Sequence, residues 1–267
     1  MSLKIVVLAK QVPDTRNVGK DAMTAEGTVN RAALPAIFNP EDLNALEQAL
    51  RLKEQNPGST VGILTMGPPR AGEIIRQGLY RGADTGWLLT DRLFAGADTL
   101  ATSYALATGI QKIGDVDIVI GGRQAIDGDT AQVGPQIAEH LNLPIISYAE
   151  DIKVEGDSVV VKRQYEDGFH MLKAKMPCLI TALSELNEAR YMTPGGIFDA
   201  CDAEITTLGR ADLIDVDDSN IGLMGSPTKI ARASDKVRKG AGEKFTPDTA
   251  DEAAKIIVDA LKTKHII

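Results

Sequence analysis

Over roughly the first 150 residues, short apolar runs alternate with stretches whose apolar positions recur every three or four residues. Lys4-Ile5-Val6-Val7-Leu8-Ala9 reads as a central parallel strand, because a strand covered on both faces is apolar throughout. Thr60 to Thr65 and Gly86 to Leu89 read as the second and third strands, Asp117 to Ile120 as the fourth, and Pro144-Ile145-Ile146 as the start of the fifth. Helices are expected from Pro40 to about Glu54, from about Arg70 to Arg81, from about Thr99 to Ile113, and up to about Leu141. In the first, Asn39 is placed to cap, Pro40 fits the first position, Glu41 and Asp42 follow, and Leu43, Leu46, Ala49, Leu50 and Leu52 form the apolar stripe. This alternation predicts an α/β protein with a doubly wound, mostly parallel sheet. In such a sheet the segments after strands one, two and four, Lys10–Thr15, Met66–Pro69 and Gly121–Gly134, share the carboxyl edge where ligands bind.

The texture changes after about Ala149. Lys153 to Val161 and Lys162 to Lys175 alternate, with Glu155-Gly156-Asp157 as a hairpin turn, and Met176 to Leu183 is one more apolar strand. The polar stretch Arg16 to Arg31 has turn residues and room for a short hairpin. Ser184 to Cys201 and Asp212 to Thr228 show little periodicity, Lys229 to Lys244 is basic and polar, and Asp248 to Lys264 reads as a final amphipathic helix with Ala253, Ile256, Ile257, Ala260 and Leu261 on one side. The expected division is therefore a doubly wound α/β domain over 1–183, carrying a hairpin at about 151–175, and an extension over 184–267 with so little core of its own that it calls for a partner to pack on.

Composition removes several function classes. A net charge of −8 argues against nucleic acid as the main partner. Without an apolar run near ~18 residues no membrane span is expected, and an N-terminus without a cleavable signal makes the cytoplasm the default. Cys178 and Cys201 lack metal-ligand spacing, and Cys178 sits in an apolar run as a core residue. His140, His170 and His265 are far apart, so no metal site or catalytic triad is expected.

The stretch Gly121-Gly122-Arg123-Gln124-Ala125-Ile126-Asp127-Gly128-Asp129-Thr130-Ala131-Gln132-Val133-Gly134-Pro135 stands where the fourth strand turns into a helix. Its glycines let backbone amides approach a ligand, and a helix N-terminus carries about half a positive charge. It is neither a Walker A loop nor a dinucleotide fingerprint. Two readings fit: a ligand loop, or a glycine-rich turn ending in a cap. Pro135 at the first helical position would put the helix start at Gly134. Asp127 and Asp129 are awkward beside a phosphate; they suit capping, loop amides or ribose hydroxyls, whereas Thr130 and Gln132 are better phosphate or ribose donors.

The run Gln124 to Pro135 resembles the nucleotide loop of the small (beta) subunit of electron transfer flavoproteins, and Lys10-Gln11-Val12-Pro13-Asp14-Thr15, Asn39-Pro40, Thr65-Met66-Gly67-Pro68-Pro69 and Asn187-Glu188-Ala189-Arg190-Tyr191 match in order. The resemblance covers nearly the whole chain. It implies a Rossmann-like, adenine-nucleotide-binding fold and a heterodimer with an alpha subunit that carries its own FAD. It implies cofactor contacts from Leu8, Ala9, Asn39, Pro40, Glu41, Asp42, Met66, and from Arg123, Gln124, Ala125, Ile126, Asp127, Gly128, Asp129, Thr130, Ala131, Gln132, Val133 and Gly134. The nucleotide is AMP in respiratory members and a second FAD in electron-bifurcating ones. Asp91 to Ser103 resembles the FAD-binding, anaerobe-type branch, so that Thr99 and Thr102 bond a diphosphate or ribityl chain, or else simply cap their helix.

In that branch the implied activity is electron transfer, with no residue as acid, base or nucleophile. NADH would supply hydride, ferredoxin would take one electron, and an acyl-CoA or 2-hydroxy-acid dehydrogenase would receive the other through the alpha-subunit FAD. Leu186, Asn187, Glu188, Arg190 and Tyr191 resemble the family's recognition loop for the dehydrogenase, with a departure at Pro194-Gly195-Gly196. Gly225-Ser226-Pro227-Thr228 resembles a family turn without an assigned role. A structural AMP serving simple electron transfer, and a stand-alone adenine-nucleotide-binding regulator, are the alternatives.

Overall fold

The computed structural model describes residues 1–14, 35–228, 240 and 242–267. In chain order the elements are β1 (Lys4–Leu8), β2 (Gln11–Pro13), β3 (Ala36–Phe38), α1 (Pro40–Gln55), β4 (Thr60–Met66), α2 (Gly72–Leu79), β5 (Thr85–Leu89), α3 (Thr99–Ile113), β6 (Ile118–Gly122), α4 (Val133–Leu141), β7 (Ile145–Glu155), β8 (Ser158–Tyr165), β9 (Gly168–Lys175), β10 (Cys178–Ala182), α5 (Pro194–Ala200), β11 (Thr206–Leu208) and α6 (Ala250–Thr263). They fall into two units, Met1–Ala231 and Arg232–Ile267.

In the first unit one sheet has the order β11-β5-β4-β1-β6-β10-β7-β8-β9. Pairing is parallel from β11 through β7 and antiparallel for β7–β8 and β8–β9. Side chains on a strand point alternately to opposite faces, and both faces of this sheet are covered. Ile5, Val7, Ile63, Ile118 and Ile120 pack with Leu46, Ala49, Ile74 and Ile75 of α1 and α2. Val6, Leu64, Val119 and Leu179 pack with Ala105, Ile110, Ile137 and Ala138 of α3 and α4. The expected α/β, doubly wound, mostly parallel architecture is therefore present. Cys178, 1% exposed, is a core residue as expected, and burial pushes its thiol up to about 12.

β1 pairs with β4 on one side and β6 on the other. The chain steps outward from β1 to β4 and β5, then returns through α3 to β6. The strand order thus reverses between β1 and β6, and the carboxyl ends of these strands form the crevice of a topological switch point.

Several details depart from the sequence reading. The turn at Glu155-Gly156-Asp157 is present, but β8 continues to Tyr165, past the expected change of strand at Lys162, so a second turn follows and the region is a three-stranded meander. α4 starts at Val133 rather than Gly134, following the left-handed Ala131 (φ 52°), and no side chain caps it. The first unit continues beyond Leu183, because β11 pairs with β5 and Leu208, Leu213 and Ile221 are buried against the α3–α4 side of the sheet. The expected hairpin within Arg16–Arg31 and most of the basic stretch Lys229–Lys244 lie outside the described residues; β2 and β3, on either side of the former, pair antiparallel. In the second unit α6 starts after Thr249, whose hydroxyl accepts from the Glu252 amide at 3.3 Å. Among the described residues no helix is long and apolar enough to cross a membrane.

Candidate functional site

The start of α1 reaches two strand-end loops at once. Asn39 precedes Pro40 as expected, yet its side chain does not cap the helix. Its Oδ1 accepts from the Ile126 amide at 3.1 Å and its Nδ2 donates to the Gln124 carbonyl at 2.9 Å. Glu41 Oε2 accepts from the Gln124 amide at 3.0 Å, and Oε1 pairs with the Arg123 guanidinium at 2.9 Å. Asp42 joins the ends of β1 and β6: Oδ2 accepts from the Lys10 amide at 2.8 Å and Oδ1 from the Gly122 amide at 2.9 Å. Glycine is required at position 122, where a Cβ would stand 2.5 Å from Asp42 Oδ1 and 2.7 Å from Glu41 Cβ.

These carboxylates are costly. Burial pushes the Asp42 carboxyl up to about 7 against the pull of its two amide donors. Burial also raises Glu41, against the Gln124 amide and the Arg123 guanidinium.

The loop beyond Arg123 passes through left-handed backbone at Asp129 (φ 51°) and Ala131 (φ 52°). Neither Asp127 nor Asp129 caps α4. Asp127 accepts from Lys10 Nζ at 2.7 Å, and Asp129 accepts from Gln124 Nε2 at 3.0 Å. Gln132 Oε1 accepts from Thr99 Oγ1 at 3.0 Å, which ties the loop to α3. Thr99 and Thr102 do not cap α3; Asp98 does, its Oδ1 accepting from the Leu100 and Ala101 amides at 3.0 and 3.1 Å.

Together these segments enclose a cleft of about 680 Å³ at the carboxyl ends of β1, β4 and β6, within the size range of small-molecule sites. Of the residues singled out from sequence, Leu8, Ala9, Asp42, Met66, Thr99, Thr102, Arg123, Gln124, Ala125 and Asp127 to Gly134 line it. Asn39, Pro40, Glu41 and Ile126 do not; they brace the loop from behind, because their polar groups are spent on it or, for Pro40, on starting α1. The lining also includes residues the sequence reading did not assign, among them Lys10, Arg70, Phe94, Asp98, Leu106 and Thr181.

The lining combines apolar and charged surface. Leu8 and Leu106 offer apolar surface for a flat ring. Lys10, Arg70 and Arg123 bring cations to the lining, Lys10 and Arg123 paired with Asp127 and Glu41, and Thr102 and Thr130 bring hydroxyls that suit phosphate. Arg123 Nε is buried and has no hydrogen-bond partner among the described residues.

The segment 186–191 is braced on α1. Asn44 Nδ2 donates to the Asn187 carbonyl at 2.6 Å, and Asn187 Nδ2 donates to the Asn44 carbonyl at 3.0 Å. Arg190 pairs with Glu47 at 2.7 Å and Glu54 at 2.6 Å. Leu186 is buried, whereas Glu188 is exposed and Tyr191 is 91% exposed. The departure at Pro194-Gly195-Gly196 starts α5, with Thr193 Oγ1 accepting from the Gly196 amide at 3.0 Å.

The buried carboxylate predicts a pH dependence. Its ordinary value is 3.8 and its folded value about 7, so between them the folded chain keeps a proton that the unfolded chain has lost. The associated stability is complete below the lower value and is lost as pH rises through the upper one. Urea unfolding should show stability falling between about pH 4 and about pH 7, and Asp42→Asn, which cannot ionise, should flatten that fall. Equal slopes in both proteins would show that Asp42 does not carry it.

Comparison with known proteins agrees with the motifs. Residues 26–217 match the electron transfer flavoprotein domain family. The chain is 50% identical over 265 residues to the caffeyl-CoA reductase-Etf complex subunit CarD of Acetobacterium woodii, covering 99% of this chain and 100% of that one. It is likewise 50% identical over 265 residues to the electron transfer flavoprotein subunit beta of Clostridium acetobutylicum, with the same coverage. It is 45% identical over 271 residues to the acryloyl-CoA reductase electron transfer subunit gamma of Anaerotignum propionicum, covering 99% of this chain and 100% of that one. The cleft, its motifs and these relatives together place the chain in the electron transfer flavoprotein family, as a beta-type subunit.

Proposed function

We propose that this beta-type subunit holds FAD in the cleft between β1, β4 and β6 and works as half of a heterodimer with an alpha subunit that carries a further FAD. The observation that carries this reading is that most of the residues implied by the family resemblance line one cleft, including Thr99 and Thr102 of α3, the former bonded to Gln132 of the 123–134 loop. When bound, FAD supplies the redox chemistry: hydride acceptance from NADH, and division of the electron pair between a low-potential acceptor such as ferredoxin and the alpha subunit.

The chain's own residues bind, orient and tune. Leu8 and Leu106 receive the adenine. Thr102 and Thr130 donate to the diphosphate or ribityl chain, beside Thr99, whose hydroxyl already donates to Gln132 Oε1. The braces from Asn39, Glu41 and Asp42 hold the loop so that little reorganisation is needed on binding. Arg123 stabilises negative charge on the bound ring, moderated by its pair with Glu41.

The C-terminal unit reads as an arm for the alpha subunit. None of the residues of α6 is buried, although Ala253, Ile256, Ile257, Ala260 and Leu261 recur at helical spacing. Glu188 and Tyr191, exposed on the braced 186–191 segment, meet the dehydrogenase in this reading. Relatives named for caffeyl-CoA and acryloyl-CoA reductases support an acyl-CoA substrate for that enzyme over a 2-hydroxy acid.

The deciding experiment is co-expression with the alpha subunit and denaturing release of bound nucleotides. Two FAD and no AMP per heterodimer are expected; one of each would replace the reading with a structural AMP and simple electron transfer. A stable monomer binding ATP or AMP and no flavin would instead favour a stand-alone regulator.

Arg123 is tested separately. The flavin held by Arg123→Ala should be harder to reduce in a spectroelectrochemical titration, and an unchanged potential would remove Arg123 from the tuning.

A further inference from the structure

The α3 wall of the cleft is held from behind by residues far along the chain. Asp98 lines the cleft and caps α3 through Oδ1. Its Oδ2 accepts from Thr228 Oγ1 at 2.7 Å and from the Thr228 amide at 3.1 Å, across 130 positions of sequence. The Asp98 amide donates to Ser226 Oγ at 2.8 Å, and Ser226, 4% exposed, donates in turn to the Gly222 carbonyl at 2.7 Å. The turn that presents Ser226 and Thr228 is tight, since a Cβ on Gly225 would stand 2.1 Å from the Asn220 carbonyl carbon. Two further bonds fasten the same regions: Asp91 Oδ2 accepts from the Arg210 amide at 3.1 Å, and Tyr104 OH accepts from the Asp217 amide at 3.0 Å.

A carboxylate on the wall of a nucleotide site is a liability, because it repels phosphate. Here both of its oxygens are committed to donors from the protein. Burial pushes the Asp98 carboxyl up, but the Thr228 hydroxyl and the surrounding amides overcome this and hold it below the ordinary carboxylate range. The Thr228 bonds also fix the side-chain rotamer that keeps Oδ1 on the α3 amides, and so keep Thr99 and Thr102 where they line the cleft. Without them, Oδ2 loses both of its donors beside the ligand.

We propose that Asp98 is a positioning residue of the nucleotide cleft and that Ser226 and Thr228, which do not line it, set its affinity from behind. This inference rests on the reading of the cleft as a nucleotide site. By reciprocity, a ligand in the cleft strengthens the clasp by the factor that the clasp adds to ligand affinity.

The test is titration of the nucleotide-free chain with FAD and with AMP, for wild type, Thr228→Val and Thr228→Ser, beside thermal melts without ligand. Thr228→Val should bind whichever nucleotide the wild type takes about 5- to 20-fold more weakly, the lower part of the range of a typical coupling. Thr228→Ser, which keeps the hydroxyl, should recover most of that loss. A lower melting temperature with unchanged affinity would mark Thr228 as merely structural and overturn the proposal.

Ser226→Ala gives a second route should the valine variant not fold. It removes the hydroxyl that accepts from the Asp98 amide without changing any charge at the cleft, so the same weakening is expected; full affinity would overturn the proposal. A wild-type chain that takes up neither FAD nor AMP overturns the nucleotide reading itself, and this inference with it. Wild-type binding that the variants leave unaltered overturns this inference alone.

Discussion

One buried carboxylate sets the geometry of the site. Asp42 accepts from the amide at the end of β1 and from the amide at the end of β6, the two strands between which the sheet order reverses. Each bond from a neutral donor to a charged acceptor contributes about 1.5–3 kcal/mol. Desolvation nevertheless wins, as the rise of the Asp42 carboxyl to about 7 shows. The residue therefore works as a positional constraint rather than a source of stability, and the glycine at 122 is there because nothing larger fits beside it. Around this point Asn39 and Glu41 extend the same bracing to Gln124 and Ile126.

The parts of the fold legible in the sequence were those with a long or strict pattern. Continuous apolar strands marked β1, β4 and β6, and the 3.6-residue period together with Asn39-Pro40 marked α1. β11 and α5 escaped because three strand residues, or a seven-residue helix opening on Pro-Gly-Gly, carry too little periodicity to read. The second meander turn was legible in Glu166-Asp167-Gly168, but the apolar alternation running through Lys162 obscured where β8 ends.

The site divides in the same way. That the 121–134 loop and the loops after β1 and β4 meet at one edge follows from topology. The roles of Asn39 and Glu41 as braces do not, because an Asn-Pro-Glu-Asp run at a helix start looks like a capping pattern, and only the folded chain shows its side chains facing a loop some 85 positions away. Asp98 had a signal, an aspartate directly before a helical run, but its second oxygen answers to Thr228, a partner no local pattern could supply. The cleft is thus framed on one side by residues near the start of the chain and on the other by residues just before the C-terminal unit.

The claim at the centre of this account is that the carboxyl-edge loops form a single preformed nucleotide site. Amide hydrogen exchange of the full chain with and without FAD tests it most directly. The account predicts protection appearing together in the segments after β1 and β4, at the start of α3 and throughout residues 121–134, with saturation at one concentration. Protection confined to one of these segments, or falling elsewhere on the sheet, would contradict it.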